Sequence, residues 1–418
     1  MRRLLVVAAL LCVAAPLSAQ SHFLRGDTND DGAVDIGDAL FLLSNLFQGG
    51  PNPVCQDAAD ANDDGGKDIG DAVYLLSFLF QGGAAPAAPY PTWELDPTPD
   101  ALPCKGNIVV HNTPIVGTEV WSKLDTHIIE GQVEVTPGAV LTIQAGTTVL
   151  GDSETNGFIV VNQGGQLIAD GTPVAPIVFT SENPVGSRAQ MDWGGLIFLG
   201  TNSTFLGIPE GLPLASASGD PFMFGGADDT TSSGTLRYVR VEFGGTDISL
   251  NNEVNAISMF GVNNETIFEH VQVKQNRDDG VEWFGGDVDL KWGLATAIGD
   301  DKFDYSFGWH GRGQFWVGHD YDNFVADSGK PDNGFEVDNR EEPAEYADCP
   351  RTNPQVSNIT LIGDPAGDSD HAFQLRRGCA GTILNAYATG WTDSGLDIDD
   401  VETAGTQCGA ELCLDYYF

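Results

Sequence analysis

Two twelve-residue stretches near the N-terminus repeat the same order of acidic and amide side chains. The first is DTNDDGAVDIGD (residues 27–38), and the second, 33 residues later, is DANDDGGKDIGD (residues 60–71). Each offers oxygen atoms at positions 1, 3, 5, 9 and 12, with a glycine at position 6 where the chain must turn sharply. Because Ca²⁺ takes about six to eight oxygen ligands, this spacing predicts a calcium loop in each stretch.

The predicted ligands follow from the loop positions. In the first loop they are the side chains of Asp27, Asn29, Asp31, Asp35 and Asp38 with the carbonyl of Ala33. In the second loop they are the side chains of Asp60, Asn62, Asp64, Asp68 and Asp71 with the carbonyl of Gly66. Four carboxylates crowded into each loop would repel one another without a cation. The competing interpretation is a pair of acidic turns that recur without a metal.

An apolar segment follows each loop, ALFLLSNLF (residues 39–47) and AVYLLSFLF (residues 72–80), and both end in Gln-Gly-Gly. Helices that are apolar nearly all round must pack on one another or on another element. The stretch 25–83 resembles the type I dockerin repeats, in which such a loop precedes a single helix. The resemblance implies two bound calcium ions and a cohesin-like or cell-surface protein as partner.

A second acidic phrase recurs five times in the C-terminal half. The copies are DDGVEW (278–283), DDKFDY (300–305), DNGFEV (332–337), DHAFQL (370–375) and DSGLDI (393–398). In each, an aspartate and a turn precede an apolar, polar, apolar alternation, which predicts a half-buried strand. The same alternation places Trp283 and Tyr305 on the inward face with Val281 and Phe303. The shortest spacings, 22 and 23 residues, predict a solenoid whose unit is just over twenty residues long.

Short strand-like runs separated by glycines also fill the region after residue 131, among them QVEV, AVLTI, FIVVN and GGLIFLG. No helix of ten residues fits between them. From about residue 128 onward the pattern resembles the right-handed parallel β-helix proteins of the pectate-lyase kind. We therefore predict a mainly β chain, a right-handed parallel β-helix preceded by a small all-α calcium module. An antiparallel sandwich or a propeller is the alternative.

Stacked coils would turn the repeated phrase into a ladder of carboxylates along one edge. Its predicted members are Asp278, Asp279, Glu282, Asp300, Asp301, Asp304, Asp332, Glu336, Asp338, Asp393, Asp397 and Asp399. The resemblance to pectate lyases and polygalacturonases implies that such a face holds a polysaccharide, with acids or calcium at its centre. The candidate catalytic residues are Asp279, Asp300, Asp301, Asp304, His310 and Arg312, the last two from GWHGRG (308–313).

Two reaction types are open for this face. A lyase would use calcium to neutralise a uronate and an arginine or lysine to remove a proton, for which Arg312, Arg376 and Arg377 are candidates. An inverting hydrolase would use two carboxyl groups about 6.5–9.5 Å apart, which Asp300 or Asp301 beside Asp279 could supply. The competing interpretation is structural, because aspartates at turns commonly accept hydrogen bonds from backbone amides.

The composition bears on compartment and partners. Nineteen basic against 60 acidic residues give a formal charge of -41, which repels nucleic acid and anionic membranes and attracts cations. Residues 1–19 read as a secretory signal, with two arginines before an apolar run and small residues before the cut. No later apolar stretch is long enough to span a membrane, so we expect no membrane insertion.

Six cysteines follow the signal, and an oxidising compartment favours disulfides. The pairs nearest in sequence are Cys55–Cys104, Cys349–Cys379 and Cys408–Cys413. The predicted organisation is a signal (1–19), a dockerin-like module (20–83), a Pro/Ala-rich linker (84–105) and the β-helix (106–418).

The sequence thus predicts a secreted, monomeric, calcium-binding modular protein of bacterial type. Its expected role is binding or scaffolding at a polysaccharide or cell surface. The alternative is a polysaccharide-degrading enzyme, either a lyase or an O-glycosyl hydrolase.

Overall fold

The computed structural model describes residues 23–98, 102, 104, 108–184, 186–209, 216–249, 252–320, 332–367, 369–403 and 412–417. The predicted signal lies outside these ranges. The chain divides into two compact units, Met1–Asn107 and Ile108–Phe418. Within the described ranges, none of the helices combines the length and the apolar character needed to cross a membrane.

The first unit contains two helices, α1 (Ile36–Gln48) and α2 (Ile69–Gln81), which pack against each other. Both begin at position 10 of a predicted loop, because the aspartate at position 9 caps the helix N-terminus. The aspartate at position 12 completes a reciprocal capping box in each helix. Each helix ends at a glycine with left-handed backbone, Gly49 or Gly82.

The Pro/Ala-rich segment after α2 lies against this helical unit. Phe23 and Glu94 form an antiparallel bridge, and Tyr90 packs edge-on against Phe78 with ring centroids 5.6 Å apart. The predicted Cys55–Cys104 disulfide is confirmed. Residues 84–98 therefore run back across the helices as a strap.

The other two predicted disulfide pairs are wrong. Cys349 is disulfide-bonded, but Cys379 and Cys413 are free thiols, and Cys408 lies outside the described residues. Cys379 points into the core of the second unit, where burial raises the pKa of its thiol. Cys379 is buried in that core whereas Cys349 is exposed, so nearness in sequence does not bring their sulfur atoms together.

The second unit is built from short strands. The first ten are β1 (Ile108–His111), β2 (Thr118–Trp121), β3 (Thr126–Ile129), β4 (Gln132–Val135), β5 (Val140–Ile143), β6 (Thr148–Gly151), β7 (Phe158–Val161), β8 (Gln166–Asp170), β9 (Ile177–Ser181) and β10 (Leu196–Leu199). The next eight are β11 (Gly234–Glu242), β12 (Asp247–Ser249), β13 (Asn252–Glu253), β14 (Ile257–Val262), β15 (Ile267–Lys274), β16 (Val281–Gly286), β17 (Leu290–Thr296) and β18 (Phe303–Ser306). The last seven are β19 (Arg312–His319), β20 (Phe335–Val337), β21 (Gln355–Ile362), β22 (Phe373–Leu375), β23 (Gly381–Thr389), β24 (Asp397–Ile398) and β25 (Leu412–Tyr417). A 3₁₀ turn covers Pro343–Glu345.

Twenty-three of these strands form two parallel sheets, and β12 and β13 form a separate antiparallel pair. Sheet A has fourteen strands, and its main order is β1-β3-β6-β9-β11-β15-β17-β19-β21-β23-β25. Sheet B has nine strands in the order β24-β22-β20-β18-β16-β14-β10-β7-β4. From β14 onward the chain alternates between sheet B and sheet A, one coil after another. The predicted mainly β, parallel-coil fold is confirmed, and the antiparallel alternatives are wrong.

The core lies inside the coils, between the two sheets. It is rich in aromatic rings, among them those of Trp283, Tyr305, Trp309 and Trp316, all at most 1% exposed. The predicted burial of Trp283 and Tyr305 is confirmed.

Sheet A bends along a column of residues with left-handed backbone. Tyr238, His270, Trp292 and Phe315 hold φ between 49° and 62° in successive coils, a conformation that bulky residues rarely adopt. Their rings stack along the outside with centroids 4.2, 4.1 and 6.2 Å apart. The stacking offsets part of the backbone strain at this bend.

Candidate acidic site on sheet B

The five copies of the acidic phrase stand on successive coils of sheet B, as the sequence predicts. The strands β16, β18, β20, β22 and β24 pair in parallel through equivalent residues of each copy. The polar residue of the alternation forms one column along the outer face. Its members, in order, are Glu282, Asp304, Glu336, Gln374 and Asp397.

A second column consists of the residue that lies two positions before the first residue of each strand. Its side chains accept hydrogen bonds from the backbone of the next coil. Asp279 Oδ1 accepts a hydrogen bond from the Asp301 amide at 2.9 Å, and Asp301 Oδ1 accepts one from the Asn333 amide at 3.0 Å. The same bond links Asn255 to Asp279 and Asn333 to His371, both at 3.2 Å. Asp279 and Asp301 therefore use one oxygen each to hold neighbouring coils in register.

The two columns, together with the neighbouring Asp278 and Asp300, bring carboxylates close enough to share a cation. Three groups of acidic residues among the described ranges place one oxygen per residue within 4.8 Å of the others. The groups are Asp278, Asp279 and Asp300; Asp279, Glu282 and Asp304; and Asp301, Asp304 and Glu336. Asp304 belongs to two of them, and its Oδ1 is buried without a hydrogen-bond partner.

A small pocket opens over these side chains. It has a volume of about 120 Å³, and Glu282, Asp304, Glu336, Asp338 and Arg377 are among the residues that line it. Enclosed sites for small molecules usually measure about 300–1,000 Å³. This pocket is therefore suited to an ion or a single substituent of a polymer that lies across the face.

The predicted catalytic residues do not all meet. The four aspartates, Asp279, Asp300, Asp301 and Asp304, lie together at or near the start of the sheet B strands. His310 follows the end of β18, where its Nδ1 lies 3.1 Å from the Gly308 carbonyl oxygen. Arg312 begins β19 in sheet A, where its Nε donates to Asp289 at 2.9 Å and its side chain is 72% exposed.

Comparison with known proteins agrees with this architecture. Residues 115–415 match the family model described as the pectate-lyase-like β-helix domain. The chain belongs to this family. No curated protein and no solved structure matches the chain. A pectate-lyase-like β-helix domain fits a polysaccharide-related protein.

Arginines border the acidic site of this pectate-lyase-like domain. Arg376 Nε lies 3.0 Å from Asp338 Oδ1, its Nη2 contacts Glu336 Oε1, and Arg377 Nη1 lies 2.6 Å from Asp338 Oδ2. Burial lowers the pKa of Arg376, but the carboxylates of Glu336 and Asp338 outweigh burial and raise that pKa overall. Arg376 therefore stays protonated, which does not suit the predicted role of a base.

Burial and mutual repulsion act together on the acids of the site. Burial, followed by the charges of Glu282 and Glu336, raises the pKa of Asp304 well above its ordinary value. Burial and then Asp338 raise the pKa of Glu336 to about 7. Burial likewise raises the pKa values of Asp279 and Asp301. The fully ionised cluster is costly by itself, so a cation would stabilise it.

The two predicted calcium loops fold alike. At position 1, Asp27 accepts hydrogen bonds from the amides of positions 5 and 6 at 3.0 and 2.9 Å, and Asp60 accepts the equivalent pair at 3.1 and 2.7 Å. At position 12, Asp38 and Asp71 each accept from the amide of position 9 at 2.8 Å. Gly32 and Gly65 at position 6 have φ of 90° and 83°, as the sharp turn requires.

The remaining predicted ligands of the loops point mainly to their own backbone. Asn29 Oδ1 accepts from the Asp31 amide, and Asp31 Oδ1 accepts from the amide of Ala33, both at 3.0 Å. Asn62, Asp64 and Gly66 repeat this pattern in the second loop. Asp35 and Asp68 cap the helices.

The loop carboxylates have the order of a calcium loop, and several of them are buried. Burial raises the pKa of Asp27 to about 7 and that of Asp71 to about 6, and it also raises the pKa of Asp38. Their acidic oxygens do not converge to 4.8 Å in threes as those of sheet B do, in the part of the chain that is described.

Some residues of the site escaped the sequence analysis. Asn255 starts the internal column one coil before the first predicted copy, and Asn333 continues it. The signal was present in VNAISM (254–259), which keeps the alternation but has Val254 where each of the five copies begins with aspartate. A search for acids alone passes over it.

We expect the calcium-free protein to lose stability as the pH rises from about 4 to about 8. The folded pKa values of Asp27 and Glu336, about 7, exceed their ordinary values of 3.8 and 4.5, so the folded state binds more protons in this window. This contribution to stability is fully present below the ordinary pKa values of 3.8 and 4.5, and it is lost as the pH rises through about 7. For a rise from 3.8 to about 7 it amounts to roughly 4 kcal/mol.

Urea unfolding at several pH values, with chelator and with calcium, measures this dependence. Calcium should reverse the slope, because the ion binds the deprotonated carboxylates. If the free energy of unfolding in the presence of chelator rises between about pH 4 and about pH 8, the prediction is wrong.

Proposed function

We propose that this protein is a secreted, non-catalytic polysaccharide-binding protein whose sheet B holds an acidic polymer through calcium. The observation that carries the proposal is the outer column, in which Glu282, Asp304 and Glu336 stand on successive coils. The buried Asp304 Oδ1 has no hydrogen-bond partner, so it is available to a cation. Carboxylate oxygens are the ligands that calcium prefers.

A linear polymer suits the shape of this face. Parallel strands repeat about every 4.8 Å, so equivalent side chains recur along a straight line. The chain carries a formal charge of -41, which would repel a polyanion unless cations lie between the two. Calcium ions shared between protein carboxylates and uronate groups would follow the linear repeat of the side chains and would neutralise the repulsion between the two polyanions.

Three observations favour binding over catalysis. Asp279 and Asp301 each use an oxygen to hold neighbouring coils together. Arg376 is paired with two carboxylates and stays protonated. His310 and Arg312 lie beyond the far end of β18. The enzyme alternative, a lyase or glycoside hydrolase, would need a free base, which Arg376, His310 and Arg312 do not supply at this face.

The helical unit adds a proposed docking function. Calcium in the two loops would hold α1 and α2 in place, and each helix exposes large apolar side chains at matching positions. The matching pairs are Ile36 and Ile69, Leu40 and Val73, and Phe47 and Phe80, all between 48% and 65% exposed. Paired exposed apolar residues favour a protein partner, for which a cohesin-like or cell-surface protein is our proposal.

Retention on an immobilised polyuronate tests the function of sheet B. We expect the protein to bind with calcium and to elute with chelator. Replacing the unpartnered carboxylate in Asp304→Asn should weaken retention about tenfold or more, because a ligand charge is lost. Asp170→Asn is the matched control, since it removes a half-exposed carboxylate of sheet A that pairs with Arg237.

Two outcomes would count against the proposal. Retention that chelator does not change, or equal loss in both variants, would remove the role of calcium at Asp304. New reducing ends or unsaturated products that disappear in Asp301→Asn would instead establish the enzyme alternative.

A further inference from the structure

Lys302 occupies a position where five neighbouring coils of sheet B have small residues. It directly precedes β18, and the equivalent positions of five other coils are Ala256, Gly280, Gly334, Ala372 and Gly395. Its side chain is fully buried and runs past Gly318, and its Nζ lies 5.6 Å from the Trp391 ring centroid. A buried lysine needs a partner, because a charged ammonium is costly away from water.

Two buried aspartates form ion pairs with the Lys302 ammonium. Asp320 follows β19, and its Oδ2 lies 2.9 Å from Lys302 Nζ. Asp332 precedes β20, and its Oδ1 makes direct contact with the same nitrogen. Both aspartates are at most 3% exposed. Ser369 Oγ donates to Asp320 Oδ2 at 2.9 Å, whereas Asp320 Oδ1 is buried without a hydrogen-bond partner.

The charges of this triad do not balance if every group is ionised. One ammonium and two carboxylates would leave a net negative charge in a dry interior. One added proton neutralises the set. Burial, opposed in part by the Lys302 ammonium, raises the pKa of Asp332 well above its ordinary value, so Asp332 favours that proton. The triad then consists of an ammonium, a carboxylate and a carboxylic acid in mutual contact.

We propose that Lys302 and Asp332 become joined by an intramolecular amide bond, with Asp320 transferring the protons. An amine nucleophile beside a carboxylic acid, with a third group as base, has the parts that nucleophilic attack at a carbonyl requires. Burial also keeps out the water that would favour the reverse reaction.

The atoms balance within the triad. The Asp320 carboxylate takes one proton from the Lys302 ammonium, and the nitrogen lone pair then attacks Asp332 Cγ. A second nitrogen proton passes to the departing hydroxyl group as the carbon–oxygen bond breaks. The products are the amide, one water molecule and a protonated Asp320, so no oxidant or cofactor is needed. The bond would tie β18 to β20, the two strands that carry Asp304 and Glu336.

Tryptic digestion of the full chain tests the bond directly. Trypsin cleaves after lysine and arginine, but not after an acylated lysine or before proline. We therefore expect peptide 292–312 joined to peptide 313–340, with their summed mass reduced by one water. Neither peptide contains cysteine, so disulfides do not interfere. An unlinked peptide 292–302 as the main product from folded protein would overturn the proposal.

Variants separate the roles of the three residues. Lys302→Met and Asp320→Asn should both give unlinked peptides, the first by removing the nucleophile and the second by removing the base. Asp393→Asn is the matched control, because Asp393 holds the position of Asp332 in a later copy and is exposed, and its link should persist. Full linkage in Asp320→Asn would overturn the role of Asp320. The digest of the unaltered chain shows whether the amide bond is present, even if a variant fails to fold.

Discussion

Replacing Arg25 with alanine is expected to destabilise the helical unit by about 3–5 kcal/mol. The Arg25 guanidinium is fully buried and lies 2.9, 3.1 and 3.0 Å from carboxylate oxygens of Asp57, Asp63 and Asp96. It also donates to the carbonyl oxygens of Asp60 and Ala88 at 2.8 Å each. Removing it leaves buried carboxylates without their counter-charge, which costs more than the pair contributed.

The same variant should weaken calcium binding at the second loop. Arg25 contacts Asp60 at position 1 and Asp63 at position 4, and it also anchors the strap through Ala88. Without Arg25, the second loop and the strap lose the hydrogen bonds and the ion pair that hold them in place. The expected result is a lower affinity at the proposed site of the second loop, with the proposed sites of the first loop and of sheet B unchanged, measured by calorimetric titration of the full chain.

Urea unfolding followed by the helical circular dichroism signal reports on this unit, because both described α-helices lie in it. Lys67→Ala is the control. Lys67 is the other cation of the described part of the unit, and its Nζ donates to Asn45 Oδ1 at 2.9 Å from a partly exposed position. Its loss should cost less than about 1 kcal/mol. Equal shifts for the two variants would contradict the buried role of Arg25.

The sequence predicts the coil of the second unit well, for a simple physical reason. Alternation of apolar and polar residues reports which side chains are buried, and the recurrence of one phrase reports which residues stack. Both signals are local or periodic. They suffice to align Glu282 with Asp304 and Glu336, as the parallel register confirms.

The different roles of the acidic residues could not be predicted from the alternation or from the repeat. Asp301 and Asp304 are three residues apart, yet one joins the coils through a backbone amide and the other faces the outside with an unpartnered oxygen. That difference depends on where the turn ends and the strand begins. Likewise, His310 and Arg312 follow Asp301 closely in sequence but lie past the end of the short strand β18.

Lys302 shows the limit of pattern recognition most clearly. In the aligned copies it stands where glycine and alanine otherwise occur, so it reads as a variable turn residue. Its partners, Asp320 and Asp332, come from two other places in the chain. Only the stacking of two successive coils brings them together.

Replacing Trp283 with alanine is expected to cost the β-helix about 3–5 kcal/mol. The Trp283 ring is fully buried, and the rings of Trp309 and Trp316 lie 4.8 and 5.4 Å from it. Removing it opens a cavity that neighbours pinned by hydrogen bonds cannot fill, because Trp309 and Trp316 donate to backbone carbonyls at 3.2 and 3.0 Å.

The cavity should also reach the acidic site, because Trp283 directly follows Glu282 on β16. We therefore expect weaker calcium binding at sheet B in Trp283→Ala. Trp292→Ala is the matched control, since Trp292 stacks on the outside of sheet A and is 38% exposed. Its loss should cost about 1 kcal/mol and leave calcium binding unchanged. Calorimetric unfolding with and without calcium measures both effects, and equal losses in the two variants would mean that the inner aromatic cluster does not support the column of Glu282, Asp304 and Glu336.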